Sequence, residues 1–475
     1  MESVCAGISS LEVRIMFGFL RLKKKEITNK NVKKVCKATG WRERKATNKM
    51  NWAKDHGVTY WQYASKAAYD LTDQEIIELG EALQQQKKLQ ESNRSFYMDL
   101  VCEKTGWSRE KAKEEMDLAE KKGVTYVNFL KKRYWEKSNI RKEKMADFNK
   151  KEKTRITDKN AMYVQRVMDE TGWSRGKAEL EITKSRVVTE ATYEDYYAFK
   201  FYNMTLEEQK QYMTYGLFDK MRLRYNDAKK ARVFADKGKF NEIFSDLNQH
   251  KWFINRNISY EDFLEKIKGL DHLIIKPLSS TQGKGVEKVS CNVNEEENKK
   301  LYEKIMAMKK CIVEEYIIQH DEVMKFCPTS VNTIRITTLN YENECRFLYA
   351  VFRMGRGDVV DNFHAGGIAA TVDVETGRVV TDAADLDGNT YETNPYSGVK
   401  IKGFQIPHWD KVIESCKKAN GRIEGVNLVG WDFAITQDGA ELIEGNPIVS
   451  YILAQIPNVA DKIELKPVMY DPYMK

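Results

Sequence analysis

The chain of 475 residues is 42% hydrophobic and 31% charged, with a formal net charge of +8, and this sets an expectation of two or three domains with real cores. No apolar run approaches a membrane span: LEVRIMFGFL at 11–20 is short, carries Arg14 and lacks a small-residue cleavage site, which leaves a helix lying on a membrane surface as the remaining membrane reading. The eight cysteines form no CxxC pair and none has a histidine at ligand spacing, which argues against a zinc site and suits thiols in a reducing cytoplasm.

In chain order, residues 1–50 come first, with 13 Lys and Arg against 4 Glu, so the rest of the chain is nearly neutral. Such an arm suits phosphate, an anionic membrane surface or an acidic glycan, with a simply solvated arm as the bland alternative. The first 276 residues contain no proline and are rich in Lys, Glu and Ala, the composition of an all-α array. TGW recurs there at 39–41, 105–107 and 171–173, which spaces Trp41, Trp107 and Trp173 by 66 residues. The flanks align too: VCKATGWRERKATNKMNWAKDHGVTYWQY matches VCEKTGWSREKAKEEMDLAEKKGVTYVNF without a gap. A fixed period predicts one helical unit used three times.

Within each unit a short helix is expected to end at Thr-Gly, the glycine supplying a left-handed cap. Ser108 or Ser174 caps the next helix, with Arg42 in that place in the first unit. Ala46, Met50 and Ala53 share a face of that helix, as do Ala112, Met116 and Ala119. A third helix follows, with Tyr60, Tyr126 and Tyr193 and then Tyr63, Phe129 and Tyr196 as aromatic packing, and each Trp is read as a core plug, with stacking on a ligand as the alternative. TDQE at 72–75 and TLEE at 205–208 are capping boxes, and 139–155 reads as a charged helix or connector. The second helices carry as much acid as base, as in REKAKEEMDLAEKK. That argues against a nucleic-acid groove reader and for contact with a protein, a glycan or a membrane surface.

From Pro277 onward, Gly, Pro and β-branched residues in short runs predict strands and turns. In LIIKPLSSTQGKGV (273–286) a strand ends near Lys276, and a loop with Ser280, Gly283 and Gly285 follows. Such a loop can turn backbone N–H groups toward phosphate, although it lacks the Walker A spacing. In CIVEEYIIQHDEV (311–323) a strand with Glu314 leads to a hinge and then Glu322, an arrangement able to offer backbone groups to an adenine edge and a carboxylate to a ribose.

The last motif is a hairpin, GWDFAITQDGAELIEGN (430–446). Taking Gln437-Asp438-Gly439 as its loop sets Thr436 opposite Ala440 and Asp432 opposite Glu444, with Asn446 on the same face. Two adjacent carboxylates in a buried sheet repel unless a cation lies between them, and an all-oxygen donor set favours Mg²⁺. A surface salt bridge is the competing reading; the flanking Phe433, Ile435, Leu442 and Ile443 fit it poorly.

This order of motifs resembles the ATP-grasp superfamily, most closely the sugar-transfer-associated ATP-grasp proteins. The resemblance rests on ADKGKFNEIF (235–244), IIKPLSSTQGKGV, CIVEEYI, SVNTIRITTL (330–339), FRMGRGDVVDNFHAGGI (352–368) and the hairpin. It covers residues 216–475 and leaves 1–215 as the helical array. It implies an α+β fold in which two α+β subdomains clamp ATP. Lys237, or nearby Lys239, and Lys276 would then reach the α- or β-phosphate, and the 279–285 loop would close over the β- and γ-phosphates. Glu314 and Tyr316 would bracket adenine largely through backbone atoms, Glu322 would hold ribose, and Asp432, Glu444 and Asn446 would carry one or two Mg²⁺ ions. Arg335 and Arg353 would neutralise the transferring phosphoryl group, with Asn332 and Asn362 orienting phosphates or acceptor. His364 reads either as a base or substrate contact, or as a structural histidine.

The implied activity is an Mg·ATP-dependent carboxylate–amine ligase working through an acyl phosphate in cell-surface polysaccharide or capsule assembly. Its substrates would be a small-molecule or glycan carboxylate and an amine acceptor. It would sit in the cytoplasm or at the inner face of the membrane. The alternatives are phosphoryl transfer to a hydroxyl, and a nucleic-acid- or protein-binding scaffold with a regulatory ATP fold.

Overall fold

The computed structural model describes residues 29–474 apart from 67, 132, 138, 279–284, 358–362, 364–365 and 460–465. Two compact units divide between Arg224 and Tyr225. Among the described residues every strand lies at or after Trp252, and no helix is long and apolar enough to cross a membrane. The LEVRIMFGFL stretch lies outside the described residues.

The N-terminal unit is helical. Helices Asn29–Thr39, Asp73–Thr105 and Asn139–Thr171 each run into a TGW sequence. Gly40, Gly106 and Gly172 take φ of 70°, 69° and 71° there. The three threonines make the same pair of bonds. Thr39, Thr105 and Thr171 donate to the carbonyls of Val35, Val101 and Val167 at 2.8, 2.6 and 2.7 Å, and accept from the N–H of the following Trp at 3.1 to 3.2 Å. The second and third of these helices are 33 residues long, not short. In Asp73–Thr105 the Thr72 capping box starts the helix and Gly106 stops it, with no proline between.

Ala46, Met50 and Ala53, and Ala112, Met116 and Ala119, are buried as their spacing requires. The tryptophans do not plug the cores. Trp41 and Trp107 sit half-buried at the edges, with the ammonium groups of Lys45 and Lys111 4.6 and 4.9 Å above their rings. Of the aromatics expected on the third helices, Tyr63, Phe129 and Tyr196 are fully buried.

The C-terminal unit holds two antiparallel sheets. The first contains β1 (Trp252–Ile254), β2 (His272–Pro277), β3 (Glu287–Ser290) and β4 (Cys311–Glu315) in the order β1-β4-β2-β3. Alternation puts Leu273, Ile275, Cys311 and Val313 into an apolar cluster with Phe263, Ile267, Leu301 and Ile305 from helices Tyr260–Ile267 and Glu295–Ala307. Lys276 and Glu314 therefore face the other way.

The second sheet contains β5 (Thr333–Tyr341), β6 (Glu344–Met354), β7 (Ile368–Val372), β8 (Ala383–Ala384), β9 (Thr390–Tyr391), β10 (Leu428–Ile435) and β11 (Ala440–Asn446), ordered β11-β10-β5-β6-β7-β8-β9. Ile334, Ile336, Phe352, Met354, Trp431, Phe433 and Ile435 enter one core, shared with helix Trp409–Ala419. The residues between them, Arg335, Arg353 and Asp432, face the opposite side. Period-two patterning thus separates an apolar face from a charged one on both sheets.

Candidate functional site

On the charged face of the larger sheet, side chains from four strands meet. Glu444 pairs in register with Asp432, and Asp432 with Arg335 on its other flank. Arg335 grips Asp432 with two bonds, Nε to Oδ1 and Nη2 to Oδ2, the second at 2.6 Å. Arg353 adds Nη1 to Oδ2 at 3.0 Å. Burial opposes ionisation of Asp432, but Arg335 and then Arg353 outweigh it and hold the carboxyl below the usual carboxylate range. Asn446 donates its amide N–H to Glu444 Oε1 at 3.1 Å.

Only one of the two carboxylates is buried: Asp432 is 2% exposed, whereas Glu444 is open to solvent. The expected repulsion between two buried carboxylates is therefore absent, and Asp432 is neutralised by guanidinium groups. The donor set still suits Mg²⁺. The three bonds to Asp432 use three of its roughly four acceptor positions, and Glu444 and the Asn446 carbonyl offer further oxygens. No third carboxylate joins them among the described residues.

The hairpin reaches this register by another route than simple counting suggests. Ile435, not Thr436, stands opposite Ala440, and Thr436 closes the turn by donating its N–H to Gly439 at 2.8 Å. A bulge between Asp432 and Phe433 then restores Asp432 opposite Glu444.

The smaller sheet presents Lys276, whose ammonium pairs with Glu314 Oε2 across β2 and β4. Glu314 lies on a strand paired on both sides, so its backbone is engaged in the sheet, and its side chain faces Lys276 and His250. Burial disfavours its charge, but Lys276 and His250 overcome this and drive its pKa far down. His250 and Glu441 were not singled out by sequence. His250 Nδ1–H donates to Glu441 Oε1 at 2.7 Å, and the backbone N–H groups of Gln249 and His250 reach the same oxygen at 2.7 and 2.9 Å. A second carboxylate on β11, three residues before Glu444, was the available signal.

The other expected residues are spread around these two faces. Lys237 opens helix Lys237–Ile243, half-buried, while Lys239 is exposed. The N–H of Tyr316 goes to His272 O at 3.2 Å, and Lys288 lies 3.5 Å above its ring. Glu322 is exposed and paired with Lys325 at 2.5 Å. Asn332 is fully buried: its amide donates to the carbonyls of Val323 and Cys327, and its carbonyl accepts from Gly355 N–H. These bonds tie its side chain to the backbone of Val323, Cys327 and Gly355. Gly285 has φ +77°, with Pro277 close beside it. Ser280, Gly283, Asn362 and His364 lie outside the described residues.

Residues 218–465 match the family model described as sugar-transfer associated ATP-grasp. Comparison with curated proteins returns no match. Similar solved structures include the ATP-grasp ligase PsnB complexed with minimal precursor, at 11% identity and TM-score 0.30 over 50% of this chain and 64% of that one. D-alanine–D-alanine ligase from Bacillus anthracis complexed with ATP is 13% identical, with TM-score 0.31 over 52% and 69%. VanG D-Ala:D-Ser ligase from Enterococcus faecalis is 14% identical, with TM-score 0.33 over 51% and 63%. The chain thus spans less than two thirds of the length of the first of these.

Proposed function

We propose that this chain, which belongs to the sugar-transfer associated ATP-grasp family, binds Mg·ATP and activates a carboxylate for attack by an amine, in the building or modification of a cell-surface polysaccharide. The observation that carries this reading is the row Glu444–Asp432–Arg335 with Arg353 beside it, on one face of one sheet. It sets oxygen donors next to fixed cations, the arrangement that phosphoryl transfer requires.

Asp432, Glu444 and Asn446 are the residues to hold Mg²⁺, which when bound neutralises phosphate charge and orients the triphosphate. Arg335 and Arg353, already fixed by Asp432, stabilise charge as the γ-phosphoryl group passes to the substrate carboxylate. The carboxylate oxygen forms the new P–O bond, ADP leaves, and the resulting acyl phosphate is the electrophile for the amine. Lys276 and Lys237 serve the remaining phosphates, and Ser280, Gly283 and Gly285 belong to the loop that covers them. Glu322 serves ribose, and Asn362 and His364 the acceptor. The same hydrogen bonds at three TGW sites support reading 1–215 as one helical unit used three times, a recruiting arm for a glycan, a membrane surface or a partner enzyme beside a cytoplasmic ligase.

The test is ADP release that requires both a carboxylate and an amine, with hydroxylamine added to intercept the intermediate. A hydroxamate is the expected product. ADP release with a phosphorylated alcohol and no hydroxamate would replace ligation by phosphoryl transfer, and release of AMP alone would overturn both.

A further inference from the structure

Lys276 raises a difficulty for any nucleotide-binding reading. Its ammonium is already engaged by Glu314, which is 6% exposed. If Lys276 turned to a phosphate, Glu314 would be left as a buried, uncompensated carboxylate, a strongly unfavourable state. Something else must hold that charge.

His250 is placed to do so. It is 9% exposed and lies between the two sheets. On one side Nδ1 meets Glu441 of β11, which as an acceptor-only carboxylate fixes the proton on that nitrogen. On the other side Nε2 has no hydrogen-bond partner among the described residues and faces Glu314 Oε1 of β4 at 3.9 Å. A bare lone pair aimed at a carboxylate is repulsive, whereas an N–H there is attractive. Among the described residues the other polar neighbour of Glu314 is Asn241, which offers a neutral amide at 3.4 Å. Glu441, Glu314 and, beyond it, Lys276 are thus the charged groups on this line.

We propose that His250 is a positioning residue: as an imidazolium held by Glu441, it is the second counter-ion of Glu314 and frees Lys276 to contact a phosphate of the nucleotide. This rests on the nucleotide reading given above. The raised pKa of the imidazole is consistent with it: burial would lower the value, but Glu314 and Glu441 outweigh burial and bring it to about 9.

The experiment measures Mg·ADP binding by calorimetry on the full chain at pH 7.5. His250→Gln is expected to weaken binding about tenfold, and Glu314→Gln in the same chain to restore it to the level of Glu314→Gln alone, because no carboxylate then remains beside Lys276 to hold its ammonium back from the phosphate. Glu441→Gln, which keeps the imidazole but removes the group holding its charge, is expected to move the alkaline loss of affinity to lower pH. That readout also serves if His250→Gln does not fold. If wild type binds Mg·ADP and His250→Gln binds as well, or if the double variant stays as weak as His250→Gln, the inference is overturned. If Glu441→Gln leaves the pH profile unmoved, it is likewise overturned. Wild type that takes up no Mg·ADP overturns the nucleotide reading itself, and this inference with it.

Discussion

Asp432 and Glu444 face each other across two strands, yet their environments give them opposite consequences on mutation. Asp432 is the shared acceptor for Arg335 and Arg353, all three buried. Removing it leaves two guanidinium groups without their carboxylate in the sheet interior. Asp432→Ala is therefore expected to destabilise the protein by about 3–5 kcal/mol, the usual cost of breaking a buried pair from one side. Glu444 is exposed and accepts from the Asn446 amide, so Glu444→Ala is expected to change stability by less than about 0.5 kcal/mol while abolishing magnesium-dependent nucleotide uptake. Urea denaturation and calorimetry on the two variants check this. Equal destabilisation, or unimpaired uptake in Glu444→Ala, would remove Glu444 from the site. The pairing of Asp432 with Glu444 was read from a hairpin count that began one residue off and came right only through the bulge between Asp432 and Phe433. The arginine partners of Asp432 were not legible as partners: Arg335 lies 97 residues from Asp432, and only strand order brings them together.

At the scale of the element, the TGW turns show what a short motif can and cannot fix. The glycine's left-handed φ and the threonine's double hydrogen bond follow from three adjacent residues, so the sequence revealed where these helices stop. The lengths were less legible: TDQE marked the start at Asp73, but nothing inside the run shows that one helix continues unbroken for 33 residues to Thr105. Burial of the tryptophans depended on packing between helices, and there the aromatic residues of the third helix took the core. Two glycines on one helix and its cap separate these levels. At Gly106, φ is +69° and an added Cβ meets nothing within 4 Å, so Gly106→Ala should cost only the backbone strain of about 1–2 kcal/mol. Gly80 lies inside helix Asp73–Thr105, where alanine has the better intrinsic propensity. Its Cβ, however, would collide with the backbone carbonyl of His56, so a main-chain segment must move. Gly80→Ala is expected to be the more damaging change, in thermal unfolding of the full chain. A milder effect than Gly106→Ala would mean that the packing of His56 against this helix is loose.

At the scale of the whole molecule, the two sheets of the C-terminal unit were each legible as alternating strands, but their junction was not. It is made by residues 247–250: Leu247 O accepts from Leu442 N–H at 2.9 Å, and His250 reaches Glu441 on one sheet and faces Glu314 on the other. Glu441 lies 191 residues beyond His250, and no local pattern announces such a contact. This junction gives the molecule a pH dependence whose sign can be worked out. The folded-state pKa of His250, about 9, lies above the ordinary 6.5. A folded protein that binds the proton more tightly than the unfolded chain draws stability from it, complete below pH 6.5 and lost as pH rises through about 9. The slope across that window is at most about 1.4 kcal/mol per pH unit, and the total at most ~3.5 kcal/mol. Urea midpoints of wild type should therefore fall between pH 6.5 and 9, and those of His250→Gln should stay level or fall less. The difference between the two curves isolates the imidazole from thiols that ionise at the upper end. Parallel curves would show that His250 gains no proton affinity on folding, and that the two carboxylates beside it do not hold it charged.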